Sequence, residues 1–315
     1  MVERVDELFQ ASTALSSFKV YRRAWSLFNQ ASVHMGLQFN GSIDLPLSAD
    51  QIILFVGYLS NSSFASASIT SYTSAIGYIH KLLNFPDPTG QFMVQKLLSA
   101  CNKVNNSVDT RLPITISILQ RLVQALDHTV SKPYLRQLFK AMYSIAFFGL
   151  MRLGEITQDT NKDVSLSFDQ VQFTSSAVLL TIMKFEHNLS LKPVQLVLPA
   201  QQDKSICPLF QLKKYLKLRG NTSGPLFRYF DGLPVSRKFF TTNLKLALQF
   251  CDLNTDLYKS HSFRIGSASF YAQNGFSDSQ IREMGRWSSN AFLKYIRTER
   301  LALSLQCSTD PFLPV

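Results

Sequence analysis

The residues best equipped for chemistry crowd towards the C-terminus. The run HSFRIGSASFYAQNGFSDSQIREMGRWSSNAFLKYIR, His261 to Arg297, brings imidazole, guanidinium, indole and phenol groups into one short window. His261 and Arg264 stand three apart, so a single helical turn points both side chains at the same small volume. A ring donor and a guanidinium held there suit a phosphate. Gly285, Arg286 and Trp287 follow, then a polar Ser288-Ser289-Asn290 able to cap a helix, then Tyr295, whose phenol is a candidate nucleophile.

A further arginine lies far upstream. The stretch Pro133 to Met151 is apolar on nearly all sides through Met142, Ile145, Ala146, Phe147, Phe148 and Leu150, and it runs straight into Arg152, Leu153, Gly154 and Glu155. A guanidinium at the end of so apolar a helix is costly unless its charge is satisfied. An ordinary helix-end pair with Glu155 would do so, and so would a bound anion.

The order Arg152, then HSFR, then GRW and Tyr295 resembles the catalytic motif of the tyrosine recombinases, the phage-integrase family. There an HxxR element is followed by a GH or GW element and the attacking tyrosine. The wording HSFRIG, GRWSS and YIR is most similar to recombinases of eukaryotic mobile elements of the DIRS, Ngaro and Crypton kinds, whereas bacterial Xer proteins usually carry histidine in place of Trp287.

The resemblance implies DNA strand cleavage and rejoining without cofactor or metal. Arg152 and Arg264 would clamp the scissile phosphate, and His261 would move a proton or contact the phosphate. Trp287 would pack and offer its indole N–H, and Tyr295 would attack to leave a 3′-phosphotyrosyl bond. The family also places a lysine on a β-hairpin to protonate the leaving 5′-oxygen; Lys184 is the choice here and Lys192 its rival. At this turn the chain departs from the pattern, reading Phe185-Glu186-His187 with an acid where one alignment puts the lysine. A non-catalytic DNA-binding descendant of such an element and a type IB topoisomerase are the competing readings. The partners implied are double-stranded DNA and further copies of the chain, as a tetramer on two sites.

These residues need a scaffold, and a chain of 315 residues with 46% hydrophobic content can bury one large core or two modest ones. The fold expected is mainly α with a small antiparallel β-sheet. It divides into a helical, SAM-like core-binding bundle over residues 1–105, a polar linker over 106–113, and an integrase-like α+β catalytic domain over 114–315. Apolar residues at Leu15, Phe18, Tyr21, Trp25 and Phe28 mark one helix, Ser48 with Gln51 opens a second, Ile69 to Leu83 marks a third, and a fourth runs from Gln91 to about Val104. The hydroxyl-rich Ser60 to Ser74 reads either as a backbone-phosphate contact or as a polar loop with a capping serine. In the second domain, strands are expected over Phe168–Phe173, Ala177–Lys184 and Val194–Leu198, and helices over Cys207–Gly220 and Ser236–Cys251.

The net charge of +11 is unevenly spread. Residues 1–110 hold seven basic and seven acidic residues, so the whole excess lies beyond them. Such a surface suits a polyanion, because each neutralised phosphate releases counterions. Lys19, Arg22 and Arg23, with Arg237, Lys238 and Lys245, are the candidate phosphate contacts. Cys101, Cys207, Cys251 and Cys307 are too scattered for a metal knuckle or a disulfide framework, and read as reduced thiols. No apolar run approaches the roughly 20 residues that span a bilayer, and the N-terminus lacks the pattern of a signal peptide, so no membrane partner is expected. The expected address is nuclear in a eukaryotic host and cytoplasmic otherwise.

Overall fold

The computed structural model describes residues 15–36, 45–104, 109–159, 165–183 and 192–297. The chain divides into two compact units, Met1–Asp109 and Thr110–Val315. Among the described residues it is mainly helical, with one three-stranded antiparallel sheet. No described helix is long and apolar enough to cross a membrane.

Among the described residues, four α-helices build the first unit: α1 (Leu15–His34), α2 (Ala49–Asn61), α3 (Ser66–Leu82) and α4 (Phe92–Val104). Of the stripe expected on α1, Phe28 is buried and Tyr21 and Trp25 pack partly buried against the core, with Phe18 the exception. Ala24, Leu27, Phe28 and Ala31 enter the core, while Phe18 is 54% exposed and lies under the Arg22 guanidinium, 5.7 Å from its ring centre. Small residues carry no strong hydropathy signal but let helices approach closely, so the aromatic spacing found the face through Tyr21, Trp25 and Phe28 but missed Ala24 and Ala31. Ser48 and Gln51 close a reciprocal capping box at the start of α2. Ala65, not a serine, caps α3, and most of the hydroxyl-rich stretch is helical, so the polar-loop reading is corrected. Buried His80 ties the unit together, with Nδ1 bonded to the Ile76 carbonyl (2.8 Å) and Nε2 accepting from the Leu47 N–H (2.9 Å).

The second unit is organised around α6 (Pro133–Phe148), which follows α5 (Ile116–Thr129). From Gln137 to Phe148 every residue of α6 except Lys140 is buried. Lys140 turns outward to both carboxylate oxygens of Asp127, each at 2.8 Å. A helix buried all round must have neighbours on every side, and here they include α5, α8 (Pro208–Arg219) and α10 (His261–Gln273). Between α6 and α8 lie the short α7 (Leu153–Ile156) and the sheet, β1 (Val171–Phe173), β2 (Ala177–Ile182) and β3 (Val194–Pro199), in the order β1-β2-β3. Its register pairs Val171 with Leu180 and Val178 with Leu198. The first strand is shorter than expected because Phe168–Gln170 form a 3₁₀ turn closed by the Ser167 and Gln170 side chains. The second ends at Ile182; Lys184, Glu186 and His187 lie outside the described residues.

The helices α9 (Arg237–Phe250), α10 and α11 (Asp278–Met284), with a 3₁₀ helix over Asn290–Tyr295, are the last elements among the described residues. The extended segment before α5 fastens the start of α10. Leu112 N–H donates to the Leu257 carbonyl (2.8 Å) and Ile114 N–H to that of Ser262 (3.0 Å). A Cβ on Gly266 would strike the Ile114 carbonyl, so this approach needs a glycine. Cys101, Cys207 and Cys251 are free, buried thiols; Cys307 lies outside the described residues.

Candidate active site

The site begins where α6 stops. Gly149 caps the helix and Leu150 adopts a left-handed conformation (φ +44°), turning its carbonyl inward. Two guanidinium groups donate to that one oxygen: Arg264 through Nη1, and Arg286 through Nη2 at 3.1 Å. The acceptor thus gathers side chains that are more than a hundred residues distant from it.

Arg264 projects from the first turn of α10 and is almost wholly buried. Its Nη2 donates to the Gly285 carbonyl (2.7 Å), and its Cζ sits 4.0 Å from the Trp287 ring centre and 5.7 Å from that of Tyr295. Its buried Nε has no hydrogen-bond partner. Burial, and then the neighbouring Arg152 and Arg286 guanidinium groups, pull Arg264 down to about 9, against the opposing pull of Glu155 and Tyr295. Among the described residues, three guanidinium groups, those of Arg152, Arg264 and Arg286, gather around the single carboxylate of Glu155.

His261 opens α10, and its Nε2 lies 2.7 Å from the Tyr295 hydroxyl. With Nε2 as acceptor, the phenol is bonded to a base that can take its proton. Ser289 starts the 3₁₀ helix that carries Tyr295, accepting from Ala291 N–H at 3.3 Å. Its end is tied to α10 through Ser269, whose hydroxyl donates to the Tyr295 carbonyl (3.2 Å) and accepts from Arg297 N–H (3.0 Å). The Trp287 ring packs against that of Tyr295, with centroids 5.1 Å apart. Gly285 makes this packing feasible, since a Cβ there would overlap the indole.

Arg152 stands at the N-terminus of α7 with its side chain 20% exposed. Its backbone N–H donates to Glu155 Oε2 (2.8 Å), its Nη1 lies 3.4 Å from Oε1, and its Nη2 donates to the Arg286 carbonyl (3.4 Å). The helix-end pair expected between Arg152 and Glu155 is therefore present, but Glu155 has a nearer cation in Arg286, whose Nη2 is 2.6 Å from Oε2.

The structure thus brings Arg152, His261, Arg264, Trp287 and Tyr295 into one cluster with Glu155, already read beside Arg152, and adds Arg286. Sequence reading did not single out Arg286. The local signal was its place inside GRW, but its partner is 131 positions upstream. Lys184 lies outside the described residues, and Lys192 is exposed just before β3. Lys19, Arg22 and Arg23 form an exposed cationic face on α1 of the first unit. On α9, Lys238 and Lys245 are exposed two turns apart. Arg237 is engaged locally, its Nε 3.4 Å from Asp159 and its guanidinium packed against Gly154.

No family model matches the chain, and no curated protein matches it by sequence. Solved structures do resemble it. XerH site-specific recombinase in a post-cleavage complex with palindromic difH substrate aligns with a TM-score of 0.65 at 16% identity, covering 94% of this chain and 80% of the other. A lambda integrase tetramer bound to a Holliday junction gives 0.60 at 13%, covering 92% and 76%. The Tn1549 transposon integrase with circular intermediate DNA gives 0.55 at 10%, covering 90% and 98%. At these identities the likeness is one of fold alone: the chain shares the fold of these recombinase and integrase structures.

Proposed function

We propose that the chain is a tyrosine-type DNA strand transferase that cuts and rejoins duplex DNA through a 3′-phosphotyrosyl intermediate. The observation that carries this reading is the 2.7 Å contact between His261 Nε2 and the Tyr295 hydroxyl, with Arg264 and Trp287 packed around the same phenol.

A phosphodiester resists attack because the nucleophile must approach a charged group and a poor leaving group must depart. In the proposed step the Tyr295 oxygen forms a bond to phosphorus as the bond to the 5′-oxygen breaks, and His261 accepts the phenolic proton. Arg152 and Arg264 neutralise charge growing on the non-bridging oxygens, with the Trp287 indole N–H as a further donor. A lysine of the β2–β3 connection, Lys184 or Lys192, protonates the departing 5′-oxygen. The phosphotyrosyl bond retains the energy of the bond broken, so a second 5′-hydroxyl can reverse the step on another strand. The first unit, as a core-binding clamp, holds duplex through Lys19, Arg22 and Arg23, and Lys238 and Lys245 add contacts from the second. Two protomers per site assemble into a tetramer, and the resemblance of the GRW wording to eukaryotic mobile-element recombinases supports a role in such an element, with a nuclear address in a eukaryotic host and a cytoplasmic one otherwise.

The test is selection of bound duplexes from a random pool, conversion of the winners to nicked suicide substrates, and denaturing electrophoresis. The wild-type chain should yield a covalent adduct. Tyr295→Phe should yield none while holding DNA affinity within about threefold, because the lost hydroxyl serves chemistry more than binding. An adduct that persists in Tyr295→Phe removes Tyr295 as nucleophile. The acid Glu186 in the hairpin sequence favours one second reading, a DNA-binding descendant without catalysis, for which the wild-type chain would bind the selected duplexes and form no adduct.

A further inference from the structure

Arg286 spends a strained backbone and a fully buried charge on contacts of which those to Glu155 and the Leu150 carbonyl are shared with Arg152 and Arg264. Its φ of +55° lies in the left-handed region that favours glycine, and its side chain is 0% exposed. The guanidinium grips Glu155 with both arms, Nη2 to Oε2 at 2.6 Å and Nε to Oε1 at 3.2 Å. It also donates to the carbonyls of Met284 (2.8 Å), Leu150 (3.1 Å) and Gly149 (3.4 Å), and its own carbonyl accepts from Arg152 Nη2. Glu155 in turn caps the Arg152 backbone and touches its guanidinium. A residue chosen only to turn the chain here would be glycine.

We infer that Arg286 is a positioning residue that takes up the Glu155 carboxylate and so keeps Glu155 from drawing the more exposed Arg152 guanidinium away from a phosphate. The inference rests on the phosphate-clamp reading above. Glu155 is 7% exposed and its best-placed cation is Arg286. Remove that cation, and the carboxylate, desolvated and singly paired, draws Arg152 from its 3.4 Å contact into a full ion pair. Arg152 then neutralises Glu155 in place of the substrate.

This gives Arg286→Gly a signature that a merely structural role lacks. Glycine accepts the left-handed backbone, so the turn that presents Trp287 survives. The single variant should lower orthovanadate affinity and the rate of adduct formation at saturating DNA by about tenfold or more, the effect of one displaced charge contact, with duplex affinity little changed. Adding Glu155→Gln should restore both to within about threefold, since the amide keeps the cap on Arg152 N–H but no longer competes for its charge. Orthovanadate binding is read from Trp287 fluorescence in a Trp25→Phe background, which leaves one indole in the chain. A double variant as impaired as Arg286→Gly, or more so, overturns the inference, and so does an Arg286→Gly chain equal to wild type. If wild type binds vanadate but forms no adduct, the catalytic reading fails while the vanadate series still judges Arg286. If wild type shows no vanadate response, the phosphate pocket and the role of Arg286 fall together.

Discussion

Gly285→Ala isolates the packing that holds the Trp287 indole. At φ −80°, ψ −6° the backbone accepts alanine, so any penalty comes from the new methyl group. That methyl would lie 2.5 Å from Trp287 Cη2, with Cζ3 and Cε3 nearer still. Carbon contacts settle near 3.5–4.0 Å, so the ring must retreat by more than about 1 Å. The retreat weakens the stacking of Arg264 over the indole at 4.0 Å, where a desolvated cation–π contact is worth about 2 kcal/mol. It also weakens ring contacts with Tyr295 (5.1 Å) and Phe292 (6.1 Å), each worth about 0.5–1.5 kcal/mol. Partial loss of the three sums to about 2–3 kcal/mol, or about 5–10 °C in Tm for a unit of roughly 200 residues. Thermal unfolding followed by circular dichroism measures this in Gly285→Ala, Trp287→Ala and the double variant. With the indole gone, the added methyl should change stability by less than about 0.5 kcal/mol. Equal destabilisation in both backgrounds would show that the methyl group collides with something other than Trp287, and the argument would fail.

Gly266→Ala should destabilise the second unit by about 1–3 kcal/mol in guanidinium unfolding, because the new Cβ meets the backbone of Ile114 and no side chain can yield; a change below that range would contradict the close approach. Burial raises the Tyr143, Tyr215 and Tyr271 phenols above their ordinary value of 10.0. Above that pH the unfolded chain loses protons that the folded chain keeps, so stability should fall as pH rises past about 10, and denaturant midpoints should fall less steeply in Tyr271→Phe. Arg264→Lys should cut adduct formation by about a hundredfold or more at nearly unchanged duplex affinity, since an ammonium cannot stack on Trp287 while donating to both the Leu150 and Gly285 carbonyls. A smaller loss would mean that charge alone suffices there.

The cluster was legible where its geometry is local. His261 and Arg264 share a helical turn by spacing alone, and Tyr295 follows Trp287 at a distance that one capped turn spans. Arg152 stood out because an apolar helix runs into it. Contacts across long loops left less trace. The Arg286–Glu155 pair joins positions 131 apart, and the Leu150 carbonyl that receives two guanidinium groups belongs to a residue whose type announces nothing about its φ. Arg237 read as a candidate phosphate contact, and nothing in its local sequence signalled that it packs against Gly154 and pairs with Asp159.

Periodicity and composition therefore determined which segments are helices and strands, that α6 would be the spine, and which residues carry reactive groups. Those properties are set by neighbours three or four positions away. Tertiary structure alone decided that α1 turns Ala24 and Ala31 rather than Phe18 to the core, that Arg286 rather than Arg152 is the nearer partner of Glu155, and that the phenol meets an imidazole at 2.7 Å. The reason is physical. Close approach rewards small residues that hydropathy ignores, and a buried charge takes whichever partner the packed chain brings nearest, wherever that partner lies in the sequence.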